Sequence, residues 1–375
     1  MTNRKFLCPI LTVLSIGTFL FCTCEKETTE SDSDSALEPE WIECQNTEVD
    51  TTTYFVSASG NNQSNGTSVS TAFRTLAQAF QTVSPGGTIN ILPGTYTESL
   101  GILQCGSDKD TIHITGYQGT PVLDGQDKKT MGIYCEECTN LIFEKLTIQN
   151  YTDMGIGFSE CEDITLRNLT VRENGHRVQL VDWELEGYGI HAENSRKVTI
   201  IQNNVYRNGP EPKVIPDRIL GTGIDTYGNV DVLIKDNKSY QNIGGGILVE
   251  DSKQVLVENN EVYENDLDAT ADEWWDGGLW LDGGEDVTVR NNIFRDNLGP
   301  GIEISDEDLQ KPTGYVLENN ESTNNYYGIF IWNFGTSSWP PDSVLTQSGN
   351  QFTDNLCQDV WIEAWDSDME IQPCQ

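Results

Sequence analysis

The sequence predicts an all-β solenoid in which short parallel strands coil around one core. The main observation is a glycine followed by Ile or Leu that opens a short apolar run eight times, at Gly132, Gly155, Gly189, Gly223, Gly246, Gly278, Gly301 and Gly328. The intervals are 23, 34, 34, 23, 32, 23 and 27 residues, so the basic period is 23 and the longer intervals carry insertions. A period of this size is typical of repeats that stack only on their neighbours.

Two further patterns support this fold class. Within each run, alternate residues such as Ile247 and Val249 are apolar or small, so the residues between them face the other way. Asn recurs 14 residues after the glycine, at Asn203, Asn237, Asn260 and Asn292, and 19 residues after it, at Asn174, Asn208, Asn242, Asn265 and Asn297. Because Asn suits turns and stacked Asn side chains can hydrogen-bond to one another, we interpret these residues as structural corners rather than ligands.

The first 23 residues have the order of an export signal. Arg4 and Lys5 precede an apolar stretch that is too short to span a bilayer comfortably, and the chain then reads Cys22-Thr-Cys24. Cys24 and the acidic residues after it resemble the start of a bacterial lipoprotein, which implies lipidation at Cys24 and attachment to a membrane through that lipid only. The expected location is the outer membrane or the cell surface; a plain cleaved signal peptide is the alternative.

The rest of the chain divides into an acidic linker at 24–50 and a solenoid domain at 51–375. Within that domain we expect an N-terminal cap at about 51–100, with one amphipathic helix near 71–83, and a C-terminal cap at about 335–375. A helix at the end of a solenoid covers the otherwise open core. The stretch from Tyr54 through Pro85-Gly-Gly-Thr-Ile-Asn-Ile resembles the opening of secreted right-handed parallel β-helix enzymes, among them pectate, alginate and chondroitin lyases and several glycosidases. This resemblance, with the usual hand of parallel crossovers, implies a right-handed parallel β-helix that acts on carbohydrate.

The formal net charge of −37 limits the partners. Such a surface repels nucleic-acid phosphates and anionic membranes, so we expect neither nucleic acid nor direct membrane binding. It also repels anionic polysaccharides unless metal ions bridge them. We expect a monomer whose partner is a polysaccharide or oligosaccharide.

Cysteine positions predict two disulfides. Cys138 and Cys161 both lie six residues after their glycine in successive repeats, and stacked strands about 4.8 Å apart are within disulfide reach. Cys357 and Cys374 could close the C-terminal tail. The pairing of Cys44, Cys105 and Cys135 stays open, and export favours disulfides over a zinc site.

The insertions indicate where a cleft lies. Three of them, at roughly 175–187, 209–221 and 266–276, fall between the second Asn and the next glycine, so all overhang the strand that the glycine opens. The outward positions of that strand carry no Lys or Arg but many carboxylates and aromatic residues, a combination that suits sugar rings. The predicted substrate-binding residues are Glu193, Asp225, Glu250, Trp280 and Trp332, with Trp274, Trp275 and Asp276 from a loop.

Two adjacent repeats predict the chemistry. Gly278-Leu-Trp-Leu-Asp282 followed by Gly301-Ile-Glu303 resembles a group of β-helix glycosidases, xylosidases among them, in which a Trp-Leu-Asp turn precedes a turn with an outward Glu. The resemblance implies that Asp282 is the nucleophile and Glu303 the acid/base of a glycoside hydrolase that requires no cofactor. The separation of the two carboxyl groups decides between retention and inversion, and the sequence leaves that open.

Two other functions compete with this one. A calcium-dependent polysaccharide lyase or uronate epimerase would use His191 with Tyr188 or Tyr227 as base and acid, aided by Arg218, with calcium held by Asp225, Glu250 and Asp282. A non-catalytic glycan-binding surface lipoprotein would use the same aromatic residues without an essential carboxylate pair. Substitution of Asp282 and Glu303 separates these classes.

Overall fold

In a computed structural model the described residues are 38–44, 46, 48–176, 185–210, 219–267, 276–305, 313–332 and 338–363. These residues form three parallel sheets, and each turn of the coil adds one strand to each sheet. The chain passes from sheet 1 to sheet 2 to sheet 3 and back to sheet 1, one turn further along. The predicted parallel β-helix is confirmed.

Sheet 1 is the sheet that the repeated glycine opens. Its described strands, in spatial order, are Glu40–Glu43, Leu100–Leu103, Met131–Glu136, Met154–Ser159, Tyr188–Glu193, Ile224–Tyr227, Ile247–Glu250, Leu279–Asp282, Ile302–Ser305, Tyr327–Trp332 and Gln358–Glu363. Every neighbouring pair is parallel, in a register that aligns equivalent positions of successive repeats.

Sheets 2 and 3 complete each turn. Sheet 2 contains Thr53–Val56, Thr88–Ile91, Ile112–Gly116, Thr139–Glu144, Glu162–Arg167, Arg196–Ile201, Val230–Lys235, Lys253–Glu258, Glu285–Arg290, Tyr315–Glu318 and Leu345–Ser348. Sheet 3 contains Thr95–Tyr96, Val122–Asp124, Thr147–Gln149, Thr170–Arg172, Asn204–Tyr206, Lys238–Tyr240, Glu261–Tyr263, Ile293–Arg295, Glu321–Thr323 and Gln351–Thr353. Two short strands, Leu185–Glu186 and Ile219–Leu220, pair outside the coil.

The core is a stack of inward side chains. The residue after each repeated glycine, for example Ile190, Ile224 and Ile247, is fully buried, and its register partners on both sides are equally buried. The same alternation holds in sheet 2, where Val232 and Ile234 point inward. Burial of these columns supplies the main stabilisation of the coil, because each turn covers the apolar face of its neighbour.

Both predicted Asn ladders are confirmed. In the first ladder the backbone N–H of Asn237 donates to Oδ1 of Asn260 at 2.9 Å, and Asn260 in turn donates to Oδ1 of Asn292 at 2.8 Å. In the second ladder Asn242 and Asn265 make the same contacts one corner later. Nδ2 of Asn260 and of Asn265 also donates to a backbone carbonyl, and Nδ2 of Asn242 donates to Oγ of Ser239, so the ladders pair the polar groups of the corners inside the fold.

The predicted Cys138–Cys161 disulfide is wrong, because both cysteines are free thiols that belong to a third ladder. The backbone N–H of Cys138 donates to Sγ of Cys161 at 3.3 Å, and Cys161 donates to Oγ of Ser195 at 2.9 Å. Ser195, Asn229 and then Ser252 continue the series at the same offset of six residues. The sulfurs therefore act as corner acceptors, as the hydroxyl and amide oxygens do in later turns.

The structure forms a disulfide between Cys44 and Cys105, which ties the chain before the cap to the coil. Cys135 is a third buried free thiol. Cys357 is also disulfide-bonded, but Cys374 lies outside the described residues, so the Cys357–Cys374 bridge stays a prediction.

The N-terminal cap contains a helix, α1 (Leu76–Thr82), shorter than the predicted 71–83, and a 3₁₀ turn, Val69–Thr71, before it. Leu76, Ala79 and Phe80 are fully buried in the core, so the helix covers the end of the coil as expected. Glu98 accepts hydrogen bonds from the backbone N–H groups of Leu76 and Ala77 at 2.9 and 3.0 Å and so closes the N-terminus of the helix.

Two predicted boundaries need correction. Strand Glu40–Glu43 pairs with sheet 1 and inserts Ile42 into the core, so the acidic linker ends earlier than residue 50. The predicted C-terminal cap at 335–375 contains three more strands of the coil, one in each sheet. Residues 1–37, with Cys24, lie outside the described part of the chain, so lipidation stays a prediction. No helix within the described ranges is long and apolar enough to cross a membrane.

Candidate functional site

The three insertions leave the coil at the same edge. Each lies between a strand of sheet 3 and the following strand of sheet 1, as the sequence predicted. The short strands at the ends of the first two insertions pair with each other, Leu185 with Ile219 and Glu186 with Leu220. The outer face of sheet 1 is therefore the surface beside which the insertions emerge.

Two columns of outward side chains run along that face. The first column, two residues after each glycine and continued into the flanking strands, consists of Trp41, Gly101, Tyr134, Gly157, His191, Asp225, Leu248, Trp280, Glu303, Phe330 and Trp361. The second column, two residues further on, includes Glu136, Ser159, Glu193, Tyr227, Glu250, Asp282 and Ser305. Neither column contains Lys or Arg among these residues, so the face is acidic and aromatic. We call this outer face of sheet 1, with its two columns, the groove.

Asp282 and Glu303 lie on adjacent strands but in different columns. Asp282 is level with Ser305, and Glu303 is level with Trp280. An offset of one strand and two residues corresponds to about 8 Å between β-carbons. Asp282 is 3% exposed and Glu303 is completely buried. The structure thus brings the two predicted catalytic carboxyl groups into one enclosed patch.

Tryptophan indoles hold both carboxyl groups. Nε1 of Trp332 donates to Oε1 of Glu303 at 3.1 Å. Nε1 of Trp280 donates to Oγ of Ser305 at 2.6 Å, and this hydroxyl lies 3.5 Å from Oδ1 of Asp282. Trp280 and Trp332, predicted to bind substrate, are nearly buried, so they contribute hydrogen bonds here and present no open ring face. Ser305 was not predicted as a site residue, although its outward position next to Asp282 in register was readable from the repeat.

Two predicted acidic residues flank this patch differently. Glu250 is level with Asp282 in the second column, so two carboxylates are neighbours there. Asp276 is buried, and its Oδ2 accepts the backbone N–H of Gly245 at 3.2 Å. Asp276 therefore supports the backbone at the start of a sheet 1 strand.

A second polar group lies further along the first column. Nδ1 of His191 is 2.6 Å from Oδ2 of Asp225, and Nε2 of His191 is 4.0 Å from Oε2 of Glu193. The ring of Tyr188 lies against His191 with 4.9 Å between centroids. Asp225 is buried, and within the described part of the chain its Oδ1 accepts no hydrogen bond. The contact with Asp225 orients the imidazole and places Nε2 on the side of Glu193.

The other predicted site residues are distributed as follows. Tyr227 is 38% exposed in the second column, level with Glu193 and Glu250. Trp274, Trp275 and Arg218 lie outside the described residues. Across the ranges that the structure describes, no three His, Cys, Asp or Glu side chains are arranged to hold a metal ion.

Tyr134 lies in the first column and was not predicted as a site residue. Burial raises its pKa to about 12, with a further contribution from the negative charge of Glu193. In the first column Gly157 separates Tyr134 from His191. An aromatic residue at an outward repeat position was the available signal.

Solved structures with a similar fold include enzymes of two reaction classes. A pectate lyase, Pel9A, is 19% identical with a TM-score of 0.58 and covers 82% of this chain and 80% of its own. A GH136 lacto-N-biosidase from Eubacterium ramulus is 15% identical with a TM-score of 0.57 and covers 83% of this chain and 65% of its own. At these identities the likeness shows the fold alone.

Sequence comparisons give one curated relative and one family. The "Uncharacterized protein YwoF" of Bacillus subtilis (strain 168) is 26% identical over 311 residues, which is 74% of this chain and 63% of that protein. The match thus spans less than two thirds of the relative's length. The family model for the right handed beta helix region matches residues 108–215 and 186–341, more than half of the chain. This chain therefore belongs to the right handed beta helix family.

Proposed function

We propose that this protein is a glycoside hydrolase that binds a neutral polysaccharide or oligosaccharide along sheet 1 and uses Asp282 and Glu303 as its reacting carboxyl groups. The observation that carries this proposal is the pair itself: two buried carboxyl groups on successive turns, each held by an indole N–H directly or through Ser305. Two positioned carboxyl groups are the usual requirement for glycoside hydrolysis.

The substrate class follows from the charges of the groove. Its two columns present Glu193, Asp225, Glu250 and Asp282 with no cationic side chain among the described residues of the columns. The negative charges of these carboxylates would repel a uronate polymer. A neutral sugar can instead stack on aromatic rings, and its hydroxyl groups can donate hydrogen bonds to the carboxylates. The proposal requires no cofactor.

The separation of the two carboxyl groups decides between inversion and retention. Glycosidases that invert hold their carboxyl groups about 6.5–9.5 Å apart, and those that retain hold them about 5–5.5 Å apart. We assign Glu303 as the acid that protonates the leaving oxygen and Asp282 as the carboxylate that acts either as the nucleophile or as the base that deprotonates a water molecule; the stereochemistry of the product decides between these two roles.

Access to the pair involves a local movement. Since Glu303 has no exposed surface, a side chain that covers it moves when the substrate reaches the carboxyl group. Trp332, whose indole is bonded to Glu303, is the neighbour through which sugar stacking can be coupled to this opening.

The decisive variants are Asp282→Asn and Glu303→Gln, assayed on soluble xylan, mannan, β-glucan and their oligosaccharides. We expect each to lower kcat/KM at least about 10²-fold, since positioned acid–base groups contribute that much or more. Glu285→Gln, an exposed carboxylate of sheet 2 paired with Lys253, is the matched control and keeps its activity. Unchanged turnover in both groove variants would contradict the proposal.

A second candidate function has its own observation. The 2.6 Å contact between His191 and Asp225, with Tyr188 on the ring, is suited to proton abstraction in a lyase or epimerase, which would then rely on calcium to neutralise a uronate. His191→Ala distinguishes the two. A hydrolase that uses Asp282 and Glu303 keeps most of its turnover, whereas a lyase that uses His191 loses it.

We also propose that the protein is exported and lipid-anchored at Cys24. The support is the order of charges, apolar stretch and cysteine at the N-terminus. Growth of an expressing bacterium with labelled palmitate should label the wild-type protein and leave Cys24→Ala unlabelled. Label retained in Cys24→Ala would contradict lipidation at this residue.

A further inference from the structure

Trp41 is an exposed tryptophan at the far end of the groove face. It lies in strand Glu40–Glu43, the outermost strand of sheet 1, level with Gly101 of the next strand. Its neighbour Ile42 points into the core, so Trp41 points outward, and 49% of its surface is exposed. It therefore begins the same column that contains His191, Asp225 and Glu303.

The glycine beneath Trp41 makes the indole lie flat. A Cβ added to Gly101 would lie 2.5 Å from Cε3 and 2.6 Å from Cδ2 of Trp41, so the ring face rests directly on the glycine backbone. One face of the indole is thus packed, and the exposed fraction of the side chain belongs to the opposite face. A side chain at position 101 would tilt the ring away from this position.

Tyr134 forms a wall beside this floor. Its ring is 6.2 Å from Trp41 between centroids, at an interplanar angle of 83°. The indole of Trp41 and the perpendicular ring of Tyr134 fit the apolar face of a pyranose ring. The carboxylate of Glu136, two residues after Tyr134 on the same strand, can accept hydrogen bonds from sugar hydroxyl groups.

We propose that Trp41, with Tyr134, is a distal stacking site for one pyranose ring of a neutral polysaccharide chain that extends along sheet 1. This inference rests on the proposed function. Trp41 is seven strands from Asp282 in the order of sheet 1, about 34 Å at the usual strand spacing. A disaccharide held at Asp282 and Glu303 cannot reach it, so the site makes affinity depend on the length of the substrate.

The test measures binding separately from turnover. Affinity electrophoresis of Asp282→Asn in gels that contain soluble xylan, mannan or β-glucan gives the parent affinity, and Trp41→Ala is added to that background. We expect at least one polysaccharide to retard the parent and the added substitution to weaken this binding about five- to tenfold, the effect of one aromatic contact. In the otherwise wild-type chain, Trp41→Ala leaves kcat/KM on a disaccharide within about twofold of the parent.

The control is Ile293→Ala, which removes an apolar side chain of similar exposure from sheet 3. Retardation equal in the parent and the Trp41→Ala variant would overturn the proposal, as would a parent that no polysaccharide retards or an equal loss in the control. The proposed function fails separately, if Asp282→Asn and Glu303→Gln keep full turnover. In that case length-dependent binding through Trp41 would still be measured.

Discussion

At the scale of single residues, Ser305 links Trp280 to Asp282. Its hydroxyl accepts the indole N–H at 2.6 Å and lies 3.5 Å from Oδ1 of Asp282. We expect Ser305→Ala to lower kcat about tenfold, equivalent to one hydrogen bond of about 1.4 kcal/mol, with KM nearly unchanged, because the contact positions the carboxyl group and does not bind sugar. Ser305→Thr should restore most of the activity, and a loss confined to KM would contradict the positioning role.

The three buried free thiols give another residue-scale prediction. Cys135, Cys138 and Cys161 should all react with an alkylating agent after denaturation without a reducing agent, whereas Cys44 and Cys105 should not. Peptide mass spectrometry reads out the labelled positions. We also expect Cys161→Ser to fold normally, because Ser195 occupies the equivalent corner of the next turn. Detection of a Cys138–Cys161 bridged peptide would contradict the structure.

At the scale of elements, the Asn ladders hold the corners of the coil. Asn260→Ala removes the oxygen that accepts two hydrogen bonds from Asn237 and leaves those donors buried. We expect a loss of about 3 kcal/mol in the free energy of unfolding. Asn350→Ala is the matched control at the end of the same ladder, where Asn350 is only partly buried and water can replace the oxygen, so its loss stays below about 1.5 kcal/mol. Urea denaturation measures both free energies of unfolding. Equal losses in Asn260→Ala and Asn350→Ala would show that burial of the unpaired donors does not determine the cost.

The contact of Glu98 with helix α1 predicts a pH dependence. Burial raises the pKa of Glu98, the charge of Glu40 adds to this, and the backbone N–H groups of Ala77 and Leu76 oppose it. Because the folded-state pKa exceeds the unfolded one, the contribution of this group to stability is present below the unfolded value and is lost as pH rises through the folded one. The Tm of the wild type relative to Glu98→Gln should therefore increase as the pH falls from about 7 toward about 4.5.

Glu162 provides the control of opposite sign. Hydrogen bonds from Lys197 and Arg196 lower its pKa, so its contribution is lost as the pH falls through the folded value. The Tm of the wild type relative to Glu162→Gln should decrease over the same range. The same sign for both variants would show that the pH effect does not come from these carboxyl groups.

At the scale of the whole molecule, the repeat determined what could be predicted. A period of 23 residues fixed the parallel coil, the inward columns and the Asn corners, because every turn faces the same packing problem. Strand Glu40–Glu43 was missed, since its single inward residue, Ile42, carries no alternation and stands in an acidic stretch. The Cys44–Cys105 pairing was not predictable either, because it joins this strand to the coil across 61 residues.

The candidate site shows the same division. The repeat placed Asp282 and Glu303 outward on successive turns, and the structure agrees. It did not reveal that Glu303 is fully buried or that Trp332 donates to it, because an outward residue is not exposed when the bulky side chains of the neighbouring strands, here Trp280 and Phe330, are themselves buried beside it. The His191–Asp225 contact depends on side-chain conformations that periodicity does not determine.

The most direct test of the central claim is the mass of the products released from neutral and uronic polysaccharides, with and without EDTA. Hydrolysis by Asp282 and Glu303 adds one water molecule per bond cleaved and is insensitive to EDTA. Nuclear magnetic resonance of the first product determines whether the anomeric centre is inverted, with Asp282 as base, or retained, with Asp282 as nucleophile. Unsaturated products that absorb ultraviolet light and disappear with EDTA would contradict the account and support a calcium-dependent lyase.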